Sequence, residues 1–291
     1  MKLEPECIGC MINQIFKTFR ELKPDISTEI ILDAQKQFME ALLKINVNDW
    51  ASPTAGKMVY KIISDVLDTD DLYYSLKEEY NRLALEYYDD VKEIVDNATD
   101  PLFEAIIASA LGNTLDPASQ HEVDLISDLN NFNPNNLVIN DYQEFQKSIK
   151  NSNQILILGD NAGEIVFDKL LIETLKNSHP NLEITYTVRG GPIINDATIE
   201  DAKFIGLPDI VKVIESPAAP GIEISSASEE FKEYFFSKGG IILSKGQGNF
   251  ESILDMDIPG KDVYYLLKAK CPLMERIFKV NIGDLIFKKK T

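Results

Sequence analysis

The residues best suited to chemistry occupy segment 160–164, Asp-Asn-Ala-Gly-Glu, directly after the apolar run 154–159. An unbroken apolar run of this length is typical of a strand buried on both faces, and the residues that follow have helical spacing. Asp160 and Asn161 carry oxygen atoms of the kind that bind Mg²⁺ and Mn²⁺. The N–H groups at the start of a helix attract an anion such as phosphate. The alternative is that either side chain only caps this helix.

A second polar segment follows the next predicted strand, residues 183–189. The strand ends at Arg189, and a loop with two glycines and a proline leads to Asn195 and Asp196, just before a predicted helix. Asp196 could be a third metal ligand or that helix's cap, and Arg189 could contact phosphate or pair with a surface acid. Ligands of parallel sheets bind beyond the carboxyl ends of the strands. We therefore expect both segments at one edge of the sheet.

A third segment, Lys-Gly-Gln-Gly-Asn-Phe-Glu at 245–251, follows the predicted strand 240–244. Its two glycines disfavour a helix and indicate a turn whose backbone conformation requires glycine. At this edge of the sheet, Lys245 could stabilise charge on the oxygens of a transferring phosphoryl group. The alternative is a flexible turn with a solvated lysine. The three segments together predict a site in which Asp160, Lys245 and Asn249 are catalytic.

The elements that position these segments change character near residue 137. Residues 12–111 have helical apolar spacing, with one long helix predicted over 71–93. From 137 onward, strands alternate with helices, which indicates a parallel sheet covered on both faces. The predicted fold class is α/β, with a helical bundle domain at 1–136. A three-layer α/β/α Rossmann-like domain with a mostly parallel sheet follows at 137–291.

The strands of the second domain are predicted from short apolar or β-branched runs. Five runs qualify: 154–159, 183–189, 210–214, 240–244 and 263–267. A hairpin-like pair at 277–280 and 284–287 is predicted to close one edge of the sheet.

Charge and composition narrow the function classes. The formal net charge is −18; residues 1–150 carry 13 Lys and Arg against 27 Asp and Glu, and residues 151–291 carry 16 against 20. Such a field repels nucleic acid and anionic membranes, so neither is a predicted partner. The sequence shows no apolar run long enough for a membrane span and no secretory signal. We expect a cytoplasmic protein.

Three cysteines, Cys7, Cys10 and Cys271, are too few for the disulfide framework of a secreted domain. Cys7 and Cys10 form a C-x-x-C pair, which could be structural, redox-active or half of a metal site. A structural role is the default, and a second metal bound by the three thiolates is the alternative.

Four motifs resemble those of the damage-control phosphatase family, first grouped as a domain of unknown function. They are Gly112-Asn113-Thr114-Leu115-Asp116, Asp160-Asn161-Ala162-Gly163-Glu164, Asn195-Asp196-Ala197-Thr198 and Lys245-Gly246-Gln247-Gly248-Asn249-Phe250-Glu251. The C-x-x-C pair and Cys271-Pro272 resemble those of its small, mostly archaeal subfamily. The resemblance spans nearly the whole chain.

The resemblance implies a helical domain packed on a Rossmann-like domain and a divalent metal: Mn²⁺, Co²⁺, Ni²⁺ or Mg²⁺. It places the metal ligands at Asp160, Asn161 and Asp196 and a phosphate-contacting lysine at Lys245. It also implies hydrolysis of sugar phosphates or damaged phosphometabolites. Residues 245–249 read Lys-Gly-Gln-Gly-Asn, whereas we expect a Lys-Gly-Asp-type motif in the eukaryotic sugar-phosphate members. No particular sugar substrate is therefore predicted.

The remaining predicted residues bind the substrate or its phosphate. The segment around Asn113 and Asp116 has the pattern of an ordinary helix C-terminus, and its functional interpretation is a loop folded over the site. The predicted substrate-binding set is Ala162, Gly163, Glu164, Arg189, Asn195, Gly246, Asn113 and Asp116.

The sequence thus predicts a metal-dependent phosphomonoester hydrolase acting on small phosphorylated metabolites. Asp160 is predicted as a ligand, with a covalent nucleophile as the alternative. Two other classes stay open: a non-catalytic module that binds a phosphometabolite or nucleotide, and a methyltransferase. The Walker and G-x-G-x-x-G patterns of nucleotide hydrolases and nicotinamide enzymes are absent from the sequence.

Overall fold

A computed structural model describes residues 1–46, 52–112 and 137–291. The first part of the chain is helical, as predicted. Its helices are α1 Pro5–Leu22, α2 Thr28–Leu42, α3 Ser52–Leu67, α4 Tyr74–Glu86, α5 Tyr88–Asn97 and α6 Pro101–Leu111. No described helix combines the length and apolar character needed to cross a bilayer.

The second part alternates strands with helices around one seven-stranded sheet. Its strands are β1 Leu137–Asn140, β2 Gln154–Leu158, β3 Glu183–Arg189, β4 Lys212–Ser216, β5 Ile241–Lys245, β6 Asp262–Lys268 and β7 Leu285–Lys289. Its helices are α7 Tyr142–Lys150, α8 Glu164–Ser178, α9 Ile199–Phe204, α10 Glu229–Phe236, α11 Gln247–Ile253 and α12 Pro272–Phe278.

The strand order is β1-β7-β6-β5-β2-β3-β4. Every neighbouring pair is parallel except β6 and β7, which run antiparallel. The carboxyl ends of β2, β3, β5 and β6 therefore meet at one edge, where parallel sheets bind their ligands. The mostly parallel α/β fold confirms the predicted class.

Strand β2 shows why both faces of the sheet are covered. Ile155 and Ile157 belong to one hydrophobic cluster, which also contains the buried side of α8. Leu156 and Leu158 belong to a second cluster on the opposite face, with residues of α10 and α11. Successive side chains of a strand point to opposite faces, so an unbroken apolar run requires a layer on each side.

The first six helices divide between two packing environments. Helices α1, α2 and α3 enclose their own cluster, which also includes Ile193 from the loop after β3. Helices α4, α5 and α6 pack instead into the same cluster as α8 and one face of the sheet. The domain boundary at residue 136 stays a prediction.

Four local predictions are wrong. Residues 277 and 278 end helix α12 instead of forming a hairpin strand, because Pro272 begins a helix that continues to Phe278. Strand β7 therefore pairs with β6 and with β1, a strand that was not predicted. The long helix predicted over 71–93 is divided at Tyr87 between α4 and α5. Segment 247–253 forms helix α11 despite Gly248, because tertiary packing overrides propensity.

Candidate active site

A cavity of about 640 Å³ opens at the carboxyl edge of the sheet. Its walls come from segments 160–162 after β2, 194–196 after β3 and 270–273 after β6, with residues of α1, α3 and α11 opposite and beside them. Arg276 of α12 holds the start of α1 over this edge through ion pairs of 2.8 Å to Glu4 and Glu6. Helix α1 and the loop after β6 both contribute to the cavity wall.

The three predicted metal ligands line this cavity together. Asn161 and Asp196 lie opposite each other in an isolated antiparallel bridge. The Asp160 carbonyl accepts a hydrogen bond from the Ala197 N–H at 2.8 Å, and the Asn195 carbonyl accepts one from the Ala162 N–H at 2.9 Å. These backbone bonds join the segments after β2 and β3, so Asp160, Asn161 and Asp196 are held as one group.

Arg189, predicted to contact phosphate, lies behind the ligands and is buried. Its Nε donates to Asp196 Oδ2 at 2.5 Å, and its Nη2 lies 3.7 Å from Asp160 Oδ1. Its Nη1 donates to Asn249 Oδ1 at 2.9 Å. The guanidinium is therefore bonded to Asp196 and Asn249 and lies near Asp160, while its buried Nη2 has no hydrogen-bond partner among the described residues. The predicted phosphate contact of Arg189 stays a prediction.

Burial raises the pKa of Asp196 to about 7, although the Arg189 charge acts in the opposite direction. Burial also raises the pKa of Asp160, against the lowering effects of Lys270 and Arg189. Burial of two adjacent carboxyl groups favours their protonated, neutral forms. A divalent cation between them would favour their charged forms instead.

The donor set fits the divalent metal that the resemblance implies. Asp160, Asn161 and Asp196 offer only oxygen donors, which suit hard cations. Within the described residues, no three His, Cys, Asp or Glu side chains are arranged to hold a metal ion. If a metal binds at the predicted position, Asn161 would supply an amide oxygen beside the two carboxylates.

Gly246 and Asn249 support the ligands from behind. Gly246 adopts a positive φ of 77°, and a Cβ atom there would fall on the Asp160 carboxylate. The Asn249 side-chain N–H groups donate to the carbonyls of Gly159 at 3.0 Å and Lys245 at 2.8 Å. Asn249 ties the end of β5 to the turn that carries Asp160, and Gly246 permits the close approach of the Asp160 side chain. Neither residue lines the cavity.

Lys245, predicted as the phosphate-contacting cation, is completely buried behind the cavity. Its ammonium pairs with the carboxylates of Glu164 and Asp168 and donates to the Ser109 carbonyl at 3.0 Å. Asp168 also accepts hydrogen bonds from the Ser109 hydroxyl at 2.6 Å and the Tyr186 hydroxyl at 2.7 Å. The structure thus shows a buried polar network at Lys245, in place of the predicted solvated or phosphate-facing lysine.

The anion cradle predicted at 161–164 also differs from the prediction. The Ala162 N–H donates to the Asn195 carbonyl, and the Gly163 N–H donates to Asn81 Oδ1 at 2.7 Å. Two of the predicted phosphate-binding amides are therefore occupied by protein acceptors. Glu164 lies behind the cavity, where burial raises its pKa to about 8 against the effect of Lys245.

All three cysteines line the same cavity as free thiols. Cys7 Sγ accepts from the Ser52 hydroxyl at 3.2 Å, and Cys271 Sγ accepts from the Gln247 amide at 3.3 Å. Burial raises the pKa of the Cys10 thiol, and the charges of Cys271 and Cys7 raise it further. The second metal at these thiols stays a prediction, as does their structural role.

Sequence reasoning missed Lys270, which lines the cavity. It lies two residues after the end of β6, so the rule that ligands bind beyond strand ends could have found it. Two other predicted residues, Asn113 and Asp116, lie outside the described residues. Asn195 and Ala162 line the cavity as predicted.

Fold and site together define a Rossmann-like α/β protein with an oxygen-ligand cluster at its carboxyl edge. The sequence profile of the damage-control phosphatase ARMT1-like domain matches residues 3–286, and the chain belongs to this family. The predicted family is confirmed, while the cysteine-based subfamily stays a prediction.

Similar proteins align with this chain over nearly its whole length. A damage-control phosphatase of Pyrococcus horikoshii is 34% identical and covers 98% of this chain and 97% of its own length. A damage-control phosphatase of Archaeoglobus fulgidus is 30% identical over 99% of both chains. An uncharacterized protein of Methanocaldococcus jannaschii is 33% identical over 100% of this chain and 96% of its own length. The crystal structure of a DUF89 family protein of Pyrococcus horikoshii, 29% identical, superimposes over the full length of both chains with a TM-score of 0.87.

Gly246→Ala tests the support behind Asp160. We expect it to weaken Mn²⁺ binding by about tenfold or more, because the new Cβ displaces the carboxylate. Gly239→Ala is the matched control, since Gly239 has a φ of 76° and no heavy atom within 4 Å of the added Cβ. Both variants share a backbone strain of about 1–2 kcal/mol, which thermal unfolding would measure. Equal Mn²⁺ affinities by calorimetry would contradict the prediction.

The pKa of Asp196 predicts how metal binding depends on pH. A carboxyl group with a pKa of about 7 must lose its proton before it binds a cation, so Mn²⁺ affinity is expected to rise with pH through this range. Below pH 7 the affinity should fall by up to about tenfold per pH unit for one displaced proton. Calorimetry in buffers of different ionisation enthalpy would measure both the affinity and the proton release. A constant affinity between about pH 5.5 and 8 would refute this coupling.

Proposed function

We propose that this protein is a metal-dependent phosphomonoester hydrolase of small phosphorylated metabolites. The observation that carries the proposal is the group Asp160, Asn161 and Asp196 on the wall of one cavity at the carboxyl edge of the sheet. Membership of the damage-control phosphatase family supports a phosphatase, as do the names of the Pyrococcus and Archaeoglobus relatives. The hard oxygen donors and the resemblance support metal dependence as part of this proposal.

A divalent ion held by these three residues would supply Lewis acidity and neutralise charge on the phosphoryl group. The chain's own contribution is to hold the ligands in place before substrate binds. Arg189 contacts both carboxylates, and Gly246 permits the close approach of the Asp160 side chain. We assign Asp160 as a ligand. Mn²⁺, Co²⁺, Ni²⁺ and Mg²⁺ all accept such a donor set.

The cavity favours a substrate larger than a bare phosphate. Its volume is about 640 Å³, within the range of small-molecule sites, and its walls include Met11, Pro53, Tyr73 and Tyr80 beside the polar edge. We propose a phosphometabolite whose phosphate reaches the metal-ligand group while its remainder contacts these side chains. A cytoplasmic location and the lack of a nucleic-acid partner stay predictions.

Replacing the ligands tests the proposed activity. We expect Asp160→Asn and Asp196→Asn each to lower Mn²⁺-dependent hydrolysis of p-nitrophenyl phosphate by about 100-fold or more, because each change removes a charged donor. Asp209→Asn is the matched control, since Asp209 is exposed and outside the cavity. The rate with and without added Mn²⁺ would be measured for all four proteins.

Unchanged hydrolysis in both ligand variants would refute the proposed site. Binding of phosphate esters by the wild-type protein without turnover, across a panel of sugar and cofactor phosphates with each of the four metals, would instead support a non-catalytic binding module.

A further inference from the structure

Helix α4 buries two polar side chains on one of its faces. Its buried residues are Lys77, Tyr80, Asn81 and Ala84, which are spaced as neighbours on a helix surface. Such a face usually buries apolar side chains, because a buried polar group costs free energy unless it has hydrogen-bond partners. Asn81 is only 1% exposed, so the partners of its side-chain amide indicate its role.

The amide of Asn81 connects two segments that are far apart along the chain. Its Oδ1 accepts a hydrogen bond from the Gly163 N–H at 2.7 Å, in the turn after β2. Its Nδ2 donates to Asp201 Oδ1 at 2.8 Å. The second oxygen of that carboxylate, Oδ2, accepts from the N–H and the hydroxyl of Thr198, both at 2.8 Å. One side chain of α4 therefore joins the turn after β2 to the start of α9.

Both ends of this connection lie close to the candidate metal ligands. Gly163 follows Asn161 by two residues, and Thr198 follows Asp196 by two residues. A displacement of either segment would change the distance between the oxygen donors of the two turns. The connection through Asn81 thus acts on the spacing of the group that a metal would occupy.

The two partners require an amide at position 81. A backbone N–H only donates and a carboxylate only accepts, so the group between them must accept on one side and donate on the other. A carboxylate of the same size would instead meet Asp201 with a like charge. Asp201 already has a cation nearby, since the buried Lys77 ammonium lies 3.6 Å from its Oδ2 and 2.9 Å from Asp71 Oδ2.

The turn after β2 also packs directly on the backbone of α4. Gly163 has a φ of 78°, and a Cβ atom added there would lie 3.3 Å from both the Cβ and the carbonyl oxygen of Tyr80. The glycine therefore permits a close approach of the turn to the helix. Tyr80 itself lines the cavity, so this contact lies at the edge of the candidate site.

We propose that Asn81 is a positioning residue that fixes the turn carrying Asp160 and Asn161 relative to the loop carrying Asp196. This inference rests on the proposed function for the assignment of these three residues as metal ligands. A helix from the first part of the chain thereby preorganises donors that the strand ends supply. Groups that orient metal ligands without touching the metal typically change metal affinity by about 10- to 100-fold when they are lost.

The test exchanges the chemical groups of the two partners. Asn81→Asp removes the donor and places a second carboxylate beside Asp201, so we expect Mn²⁺ affinity, measured by calorimetry, to fall by about 10- to 100-fold. Combining Asn81→Asp with Asp201→Asn restores one donor between the two groups and keeps the total charge. The affinity of this double variant should return to within about threefold of wild type, because the two changes compensate each other.

Ser148→Ala is the control for a general loss of buried hydrogen bonds. The Ser148 hydroxyl is bonded to Asp262 at 2.6 Å and to the Tyr264 hydroxyl at 2.8 Å, near the amino end of β6 and outside the cavity. We expect this variant to unfold at a lower temperature and to bind Mn²⁺ like wild type.

Amide hydrogen exchange of the metal-free proteins gives a second readout. Asn81→Asp should accelerate exchange mainly within segments 160–164 and 195–198, because these segments lose their connection and open locally. Ser148→Ala should leave exchange in both segments unchanged. Asn81→Ala removes both hydrogen bonds without adding a charge and should also weaken Mn²⁺ binding, so it replaces Asn81→Asp if that variant does not fold.

Three results would overturn the inference. The first is a folded Asn81→Asp or Asn81→Ala protein with the Mn²⁺ affinity of wild type. The second is a double variant that binds Mn²⁺ no better than Asn81→Asp. The third is a loss of Mn²⁺ affinity in Ser148→Ala as large as that in the variants at position 81.

Failure of this inference can be separated from failure of the proposed function. Mn²⁺ binding that depends on Asn81, in a wild-type protein that hydrolyses no phosphate ester, would refute the phosphatase activity alone. Mn²⁺-dependent hydrolysis by wild type, with equal Mn²⁺ affinities for wild type and Asn81→Asp, would refute the role of Asn81 alone.

Discussion

The buried guanidinium of Arg189 is the contact on which the arrangement of the candidate site depends. It lies beside two carboxylates, Asp196 at 2.5 Å and Asp160 at 3.7 Å, and it also binds Asn249. Two buried carboxylates without such a partner would repel each other and would be costly to desolvate. Breaking a buried pair of this kind typically costs about 3–5 kcal/mol. The ends of β2, β3 and β5 are therefore held together by one charge cluster.

A second buried cation, Lys245, stabilises the residues behind the cavity. Lys245 compensates Glu164 and Asp168, while Asp168 also accepts hydrogen bonds from Ser109 of α6 and Tyr186 of β3. This network links a helix of the first half of the chain to the sheet and to the start of α8. Because Glu164 begins α8 directly after the turn that carries Asp160, the network also fixes the end of that turn. Preorganised supports of this kind keep ligand side chains in the geometry that a metal requires.

The two clusters also explain the charge distribution around the cavity. Each cluster pairs a basic side chain from a strand end with carboxylates, so the lining formed by the described residues is acidic and contains one lysine. A divalent cation is compatible with that lining and would offset its repulsion of an anionic substrate. The thiols of Cys7, Cys10 and Cys271 add soft, weakly polar groups to the cavity wall.

Much of this protein could be predicted from the sequence, and the limits have physical causes. The unbroken apolar run of β2 and the alternation of strands with helices determine a parallel sheet, because a strand buried on both faces requires cover on both sides. The strand-end rule then determines that Asp160, Asn161 and Asp196 meet at one edge. Residues 277 and 278 were assigned to a strand because a short apolar run has no period that separates a strand from a helix.

The exposure of the charged residues was decided only by the tertiary structure. Arg189, Lys245 and Lys270 all occur at or just beyond strand ends, and their sequence neighbourhoods do not distinguish them. Their partners are distant along the chain: Asn249 for Arg189, Asp168 for Lys245 and Gln247 for the Lys270 backbone. Whether a lysine faces a ligand or a buried carboxylate depends on which charges the fold brings within a few ångströms. The sequence by itself therefore determined the fold, the family and the edge that carries the site, and three-dimensional packing decided which cation lines the cavity.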